Sequence, residues 1–132
     1  MLFRSGFGCG ACTTTLRQAE AVRPTGRVLG IDISEQQLGL ARQRVAAAGA
    51  TNVELLLDDA TTYAFEAETF DLGFTRFGVM FFADPVAAFL NIRRAMKPSG
   101  RLLLAVFRSG PETLGLLLRS RRSAIWYRHF QH

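Results

Sequence analysis

One stretch constrains this chain more than any other: Gly6-Phe7-Gly8-Cys9-Gly10-Ala11, followed by the apolar run Arg27-Val28-Leu29-Gly30-Ile31 that ends in Asp32. Glycines this close together form a turn whose backbone a ligand can approach. A carboxylate at the end of the next apolar strand is a two-oxygen acceptor, suited to the paired hydroxyls of a ribose. Gly10 and Asp32 are 22 residues apart, against about 20 in a nucleoside-binding βαβ unit. The pattern predicts a cleft for a nucleoside-containing cofactor.

The order of the other elements supports that unit. Thr13, Thr14 or Thr15 can cap a helix carrying Leu16, Ala19 and Val22, which Pro24-Thr25-Gly26 ends. Ser34 and Gln37 form a capping-box pattern ahead of Leu38, Ala41, Val45 and Ala48 at helical spacing, and Gly49 suits the stop. Val53–Leu57 and Phe70–Phe77 read as further strands. Asp84-Pro85 opens a helix with Val86, Phe89, Leu90 and Met96, and after the turn Lys97–Gly100 the segment Arg101–Phe107 reads as an apolar strand. Strands alternating with helices specify an α/β fold: a Rossmann-like open parallel sheet with helices on both faces. The sheet is expected to be incomplete. Its first strand is weak, a stub at residues 1–5, and its last two strands are missing.

At 132 residues with 48% hydrophobic and 20% charged, the chain has the bulk for one domain with a buried core, not a disordered segment. No apolar run reaches the ~18 residues that span a bilayer, and the N-terminus lacks a basic segment before a long apolar core. The reading is cytoplasmic. The net charge of +5 does not point to nucleic acid. Residues 108–132 hold Arg108, Arg119, Arg121, Arg122 and Arg128 against Glu112, which leaves the rest of the chain nearly neutral. The sequence therefore divides into a cofactor-binding core, 1–107, and a basic tail, 108–132, partly helical from Pro111 through Leu114, Leu117 and Leu118. The bare Leu102–Phe107 edge that such a fragment leaves predicts self-association.

Cys9 and Cys12 form a C-x-x-C. Beside a βαβ pattern this spacing fits a thiol–disulfide site or half of a zinc site, or else Cys9 belongs to a Gly-Cys-Gly ligand loop and Cys12 is incidental. No second ligand pair accompanies them, and the histidines are His129 and His132, so no metal is expected.

Five segments together resemble the class I S-adenosylmethionine-dependent methyltransferases, in particular the branch with ubiquinone and menaquinone C-methyltransferases. They are Gly8–Thr14, Gly26–Ser34, Asn52–Ala60, Phe70–Gly78 and Met96–Leu104. The resemblance implies S-adenosylmethionine as cofactor and a small-molecule methyl acceptor. It implies that the backbone of Gly8, Cys9 and Gly10 lines the methionine part, that Asp32 accepts from both ribose hydroxyls, and that Ile33 packs on the adenine. It also implies that Asp59 accepts from the adenine amino group with Ala60 beside it, and that Arg76 and Phe77 flank the sulfonium. For Asp59 the alternatives are a loop cap and a swap with Asp58; for Arg76 the alternative is a solvent-facing strand end. No catalytic residue stands out. Tyr63, His129 and His132 are candidate bases by chemistry alone.

Two positions depart from the family's pattern. Gly6 stands where an acid is usual, an acid that helps fix the loop and the cofactor's amino group. Cys12 stands where a second glycine is usual, so its side chain is expected to crowd the ligand. The chain thus reads as a cofactor-binding core damaged or replaced at both ends. Three other readings compete with methyl transfer: a non-catalytic cofactor-binding fragment; an NAD(P) domain, since Gly6-x-Gly8-x-x-Ala11 meets that fingerprint in its alanine form; and a thiol redox protein.

Overall fold

The computed structural model describes residues 2–76, 82–106, 115–120 and 123–127. Its elements run β1 (Phe3–Phe7), α1 (Thr13–Ala21), β2 (Arg27–Asp32), α2 (Glu35–Ala47), β3 (Val53–Leu57), β4 (Phe70–Arg76), α3 (Pro85–Ala95), β5 (Met96–Val106), β6 (Gly115–Ser120) and β7 (Ser123–Tyr127). They form one seven-stranded sheet in the order β3-β2-β1-β4-β5-β6-β7. The strands from β3 to β5 pair in parallel, and β6 and β7 add antiparallel. The strand order reverses between β1 and β4. In open α/β sheets such a reversal opens a crevice at the carboxyl ends of the strands.

Alternation along β2 shows why helices cover both faces. Val28 packs with Ala19 and Val22 of the α1 segment. Leu29 and Ile31 turn the other way, into a core with Phe7, Phe70 and the α3 residues Ile92 and Ala95. A strand buried on both faces reads as a near-continuous apolar run, which is how this one reads in the sequence. The larger core is aromatic: Phe7, Phe65 and Phe70 meet edge to face, with ring centroids 5.6 and 6.0 Å apart.

The weak first strand is a complete central strand. β1 lies between β2 and β4, with Phe3 opposite Arg27 and Gly6 opposite both Gly30 and Phe74. What holds it is supplied from far along the chain. The Phe3 N–H donates to Asp71 Oδ2 at 2.8 Å, and Lys97 Nζ reaches the other oxygen of Asp71 at 3.0 Å. The Arg27 guanidinium lies 4.0 Å from the centre of the Phe3 ring. Burial works against ionisation of Asp71, but the Phe3 N–H and the Lys97 ammonium outweigh it and hold the carboxyl below its ordinary range.

The tail is also corrected. Leu117 and Leu118, expected in a helix, belong to β6, whereas Pro111, Leu114, His129 and His132 lie outside the described residues. Two strands, β6 and β7, stand beyond β5, where the sequence reading expects none. β6 covers the edge of β5 from Leu102, opposite Arg119, to Val106, opposite Gly115. The ground for self-association through that edge falls away.

Helix ends follow their local chemistry with one exception. The Ser34 side chain accepts from the Gln37 N–H, and that of Asp84 accepts from the Ala87 N–H with Pro85 next in line. None of Thr13, Thr14 and Thr15 caps α1. The cap position is Cys12, at φ 65°, in the left-handed region that favours glycine.

Candidate cofactor cleft

A cleft of about 710 Å³ opens at the switch point between β1 and β4. Of the residues expected to hold a cofactor, it brings together Gly8, Cys9, Gly10, Asp32, Ile33, Asp59 and Ala60. Arg76 closes β4 opposite Ala105, and its side chain and all of Phe77 lie outside the described residues.

Asp32 is built into this cleft from both sides. Its Oδ2 accepts from the Gly10 N–H at 2.8 Å and its Oδ1 from the Ser34 N–H at 2.9 Å. The Cys9 N–H donates to the Ile31 carbonyl at 3.0 Å and the Asp58 N–H to the Asp32 carbonyl at 3.1 Å, so the turns after β1 and β3 both lean on the end of β2. A carboxylate oxygen has two acceptor sites. Each oxygen of Asp32 is fixed in direction by one backbone donor and keeps capacity for a second.

Beside it, Ile33 is 69% exposed. A large apolar side chain held open at the rim of the cleft offers an apolar surface to a ligand. The acids that follow β3 are engaged locally. Asp58 accepts from the Asp59 N–H at 2.7 Å, and Asp59 Oδ1 accepts from the Thr61 N–H at 2.8 Å, capping its own turn. Asp59 thus fills the capping role that the sequence left open, with its second oxygen unengaged among the described residues.

The structure adds residues that the sequence did not single out. The capping box of α2 stays open because the Ser34 N–H is already taken by Asp32. Gln37 lies instead in the cleft, its Oε1 3.9 Å from where a Cβ on Gly10 would stand. Arg44 of α2 reaches the start of α1 and donates to Thr13 Oγ1 at 2.9 Å. Asn91 of α3 donates to the carbonyls of Ala60 and Tyr63 at 2.9 and 2.7 Å, which fixes the turn carrying Asp59. An amide among the apolar positions of a helix was the signal for it.

The two departures have a physical account. A Cβ on Gly6 would lie 2.9 Å from Thr15 Oγ1, so the start of α1 occupies the space that a side chain there would need. The Cys12 side chain does not crowd the cleft. It is fully buried and packs with Leu38, Ala41 and Cys9. The preference for glycine at this position is one of backbone conformation.

A doubly wound sheet with a glycine turn and a strand-end acid at its switch point defines a Rossmann-like nucleoside-binding domain. Residues 6–100 match the family described as a methyltransferase domain, and the chain belongs to that family. It is 35% identical over 95 residues to the demethylmenaquinone methyltransferase of Bacillus cytotoxicus, a match covering 72% of this chain and 40% of that one. The chain thus spans about two fifths of the length of this curated relative. A SAM-dependent methyltransferase from Aquifex aeolicus superposes with a TM-score of 0.77 at 23% identity, over 83% of this chain and 58% of the other, a likeness of fold. Haemonchus contortus phosphoethanolamine N-methyltransferase 2, solved with phosphomonomethylethanolamine and S-adenosylhomocysteine, superposes with a TM-score of 0.76 at 28% identity, covering 85% and 26%.

Proposed function

We propose that this chain binds S-adenosylmethionine and supports transfer of its methyl group to a small-molecule acceptor. The observation that carries the reading is the double anchoring of Asp32. Two backbone donors hold its oxygens at the mouth of the cleft, as recognition of a ribose diol requires. Ile33 then takes the adenine face, Asp59 with its free oxygen takes the adenine amino group, and Ala60 lies beside it. The backbone of Gly8, Cys9 and Gly10 runs along the methionine part, and Arg76 stands at the substrate mouth. Bound S-adenosylmethionine supplies an electrophilic methyl group. The chain's part is to align an acceptor with it and exclude water, which accelerates transfer without a dedicated base.

The work falls to the core, residues 1–107, and within the basic tail, 108–132, β6 and β7 extend the sheet. Among the described residues no helix is long and apolar enough to cross a membrane, and a cytoplasmic location, with no nucleic-acid partner, is part of the same proposal. The test is transfer of label from methyl-labelled S-adenosylmethionine to quinone, phenol and amine acceptors. Labelled product supports methyl transfer. Cofactor binding without transfer to any acceptor favours the non-catalytic fragment, and preferential binding of NADH overturns the reading.

A further inference from the structure

The cofactor reading leaves the second cysteine unexplained. The Cys12 N–H donates to the Cys9 carbonyl at 3.0 Å. The four residues from Cys9 to Cys12 therefore close a β-turn, which brings the outer Cα atoms within about 7 Å. A disulfide spans Cα atoms roughly 4.4–6.8 Å apart. Both thiols are free and their sulfurs lie 3.2 Å apart. Bonding needs them to close to about 2.05 Å. Gly30 makes room for the pair: a Cβ there would stand 3.1 Å from Cys9 Sγ and 3.4 Å from Cys12 Sγ.

The two thiols differ in access. Both residues line the cleft, Cys9 half-buried and Cys12 fully buried. They differ in acidity as well. A Cys12 thiolate accepts from the Cys9 thiol and from Thr15, which holds Cys12 below the ordinary thiol range and pushes Cys9 up. Cys12 also occupies the N-cap position of α1, where the helix dipole favours a thiolate. A reachable thiol therefore has its proton acceptor and its resolving partner in contact with it.

We propose that Cys9 and Cys12 are a modification site, a dithiol that a small disulfide of the glutathione class oxidises to an intramolecular disulfide, and that oxidation closes the cleft to the nucleoside cofactor. Cys12 takes the proton of Cys9 as the Cys9 sulfur attacks the external disulfide. That step forms a mixed disulfide and releases one thiolate, which takes the proton back from Cys12. The Cys12 thiolate then attacks Cys9 Sγ and expels the second thiolate. Starting from the Cys12 thiolate, the protein loses two electrons and one proton, and one external disulfide becomes one thiol and one thiolate, the latter taking its proton from solvent. The coupling to binding runs through Gly10, which lies inside the turn and donates to Asp32 Oδ2 at 2.8 Å. Drawing the sulfurs together moves the loop backbone that faces the ligand. This half of the proposal rests on the proposed cofactor site. The dithiol chemistry does not.

The test equilibrates the native chain in buffers of reduced and oxidised glutathione, with and without S-adenosylhomocysteine. Thiols are read by mass after alkylation, and binding by calorimetry. The expected product is a species two hydrogens lighter, reversed by dithiothreitol, with S-adenosylhomocysteine affinity at least tenfold weaker. By linkage, saturating S-adenosylhomocysteine shifts the oxidation equilibrium by the same factor. Cys9→Ser and Cys12→Ser give no such species. If both thiols stay reduced, or only a mixed disulfide accumulates, in a chain that circular dichroism shows to be folded, the dithiol site is overturned. If the disulfide forms and affinity is unchanged, the gating is overturned. A reduced chain that binds no S-adenosylhomocysteine sinks the cofactor reading and the gating, while the thiol masses still decide the site.

Discussion

Gly10 donates its N–H to Asp32 Oδ2 at 2.8 Å across 22 residues of sequence. This contact joins the glycine turn after β1 to the acid that ends β2. The glycine loop is thereby tied to the residue proposed to recognise the ribose, so the two halves of the cleft are set before any ligand arrives. Preorganisation of this kind reduces the ordering cost of binding.

Ile33 separates recognition from stability. Its exposure of 69% means that little is lost from the folded chain when it is truncated. Ile33→Ser is expected to change unfolding free energy by less than about 0.5 kcal/mol. The same change is expected to weaken S-adenosylhomocysteine binding by about 1 kcal/mol, roughly fivefold, through lost apolar contact. Urea unfolding and calorimetry on one preparation check both halves.

Gly6 and Thr15 are coupled by space. With Thr15 Oγ1 only 2.9 Å from the place of a Cβ, Gly6→Asp is expected to destabilise the chain by about 1–3 kcal/mol. Adding Thr15→Gly is expected to cost less in the Gly6→Asp background than in the native one. A double-mutant cycle reads this as an interaction energy of at least about 0.5 kcal/mol. Strict additivity would show that the two positions do not compete.

Cys12 holds a left-handed backbone, φ 65°, with its side chain buried. Glycine there relieves roughly 1–2 kcal/mol of backbone cost and forfeits a small buried group, so Cys12→Gly is expected near neutral. Cys12→Val combines a β-branch with positive φ and is expected to lose at least about 2 kcal/mol. Thermal unfolding of the pair checks the order.

Much of this architecture is legible in the sequence, because it rests on local signals. Both β2 and α2 are read from an apolar run and from helical spacing behind Ser34. The cofactor loop and Asp32 follow from a turn and a strand-end acid. What stays hidden depends on distant partners. β1 reads as a stub because its support comes from Asp71, Lys97 and Arg27. Gln37 reads as a cap because nothing local reveals that Asp32 has taken the Ser34 N–H. Leu117 and Leu118 read as helical through their spacing from Leu114, and β6 exists through pairing with β5.

Acid sensitivity at the start of β1 follows from Asp71. Its carboxyl lies below the ordinary 3.8 in the folded chain. The stability it contributes is full above that ordinary value and is lost as pH falls through the lower folded value. Removing the Lys97 ammonium raises the folded value towards the unfolded one. Lys97→Met is therefore expected to move the acid-unfolding midpoint to higher pH. The effect is small, about 0.2–1 kcal/mol, because the pair is partly exposed. Circular dichroism during acid titration checks the direction.

The most direct measurement is calorimetric binding of S-adenosylhomocysteine to the reduced native chain and to Asp32→Ala. The expected result is saturable binding to the native chain that weakens more than about a hundredfold in the variant. A carboxylate hydrogen-bonded to two hydroxyls contributes roughly 3 kcal/mol or more to such recognition. Absence of binding to a folded native chain, or equal binding to both, would contradict the assignment of this cleft to the cofactor.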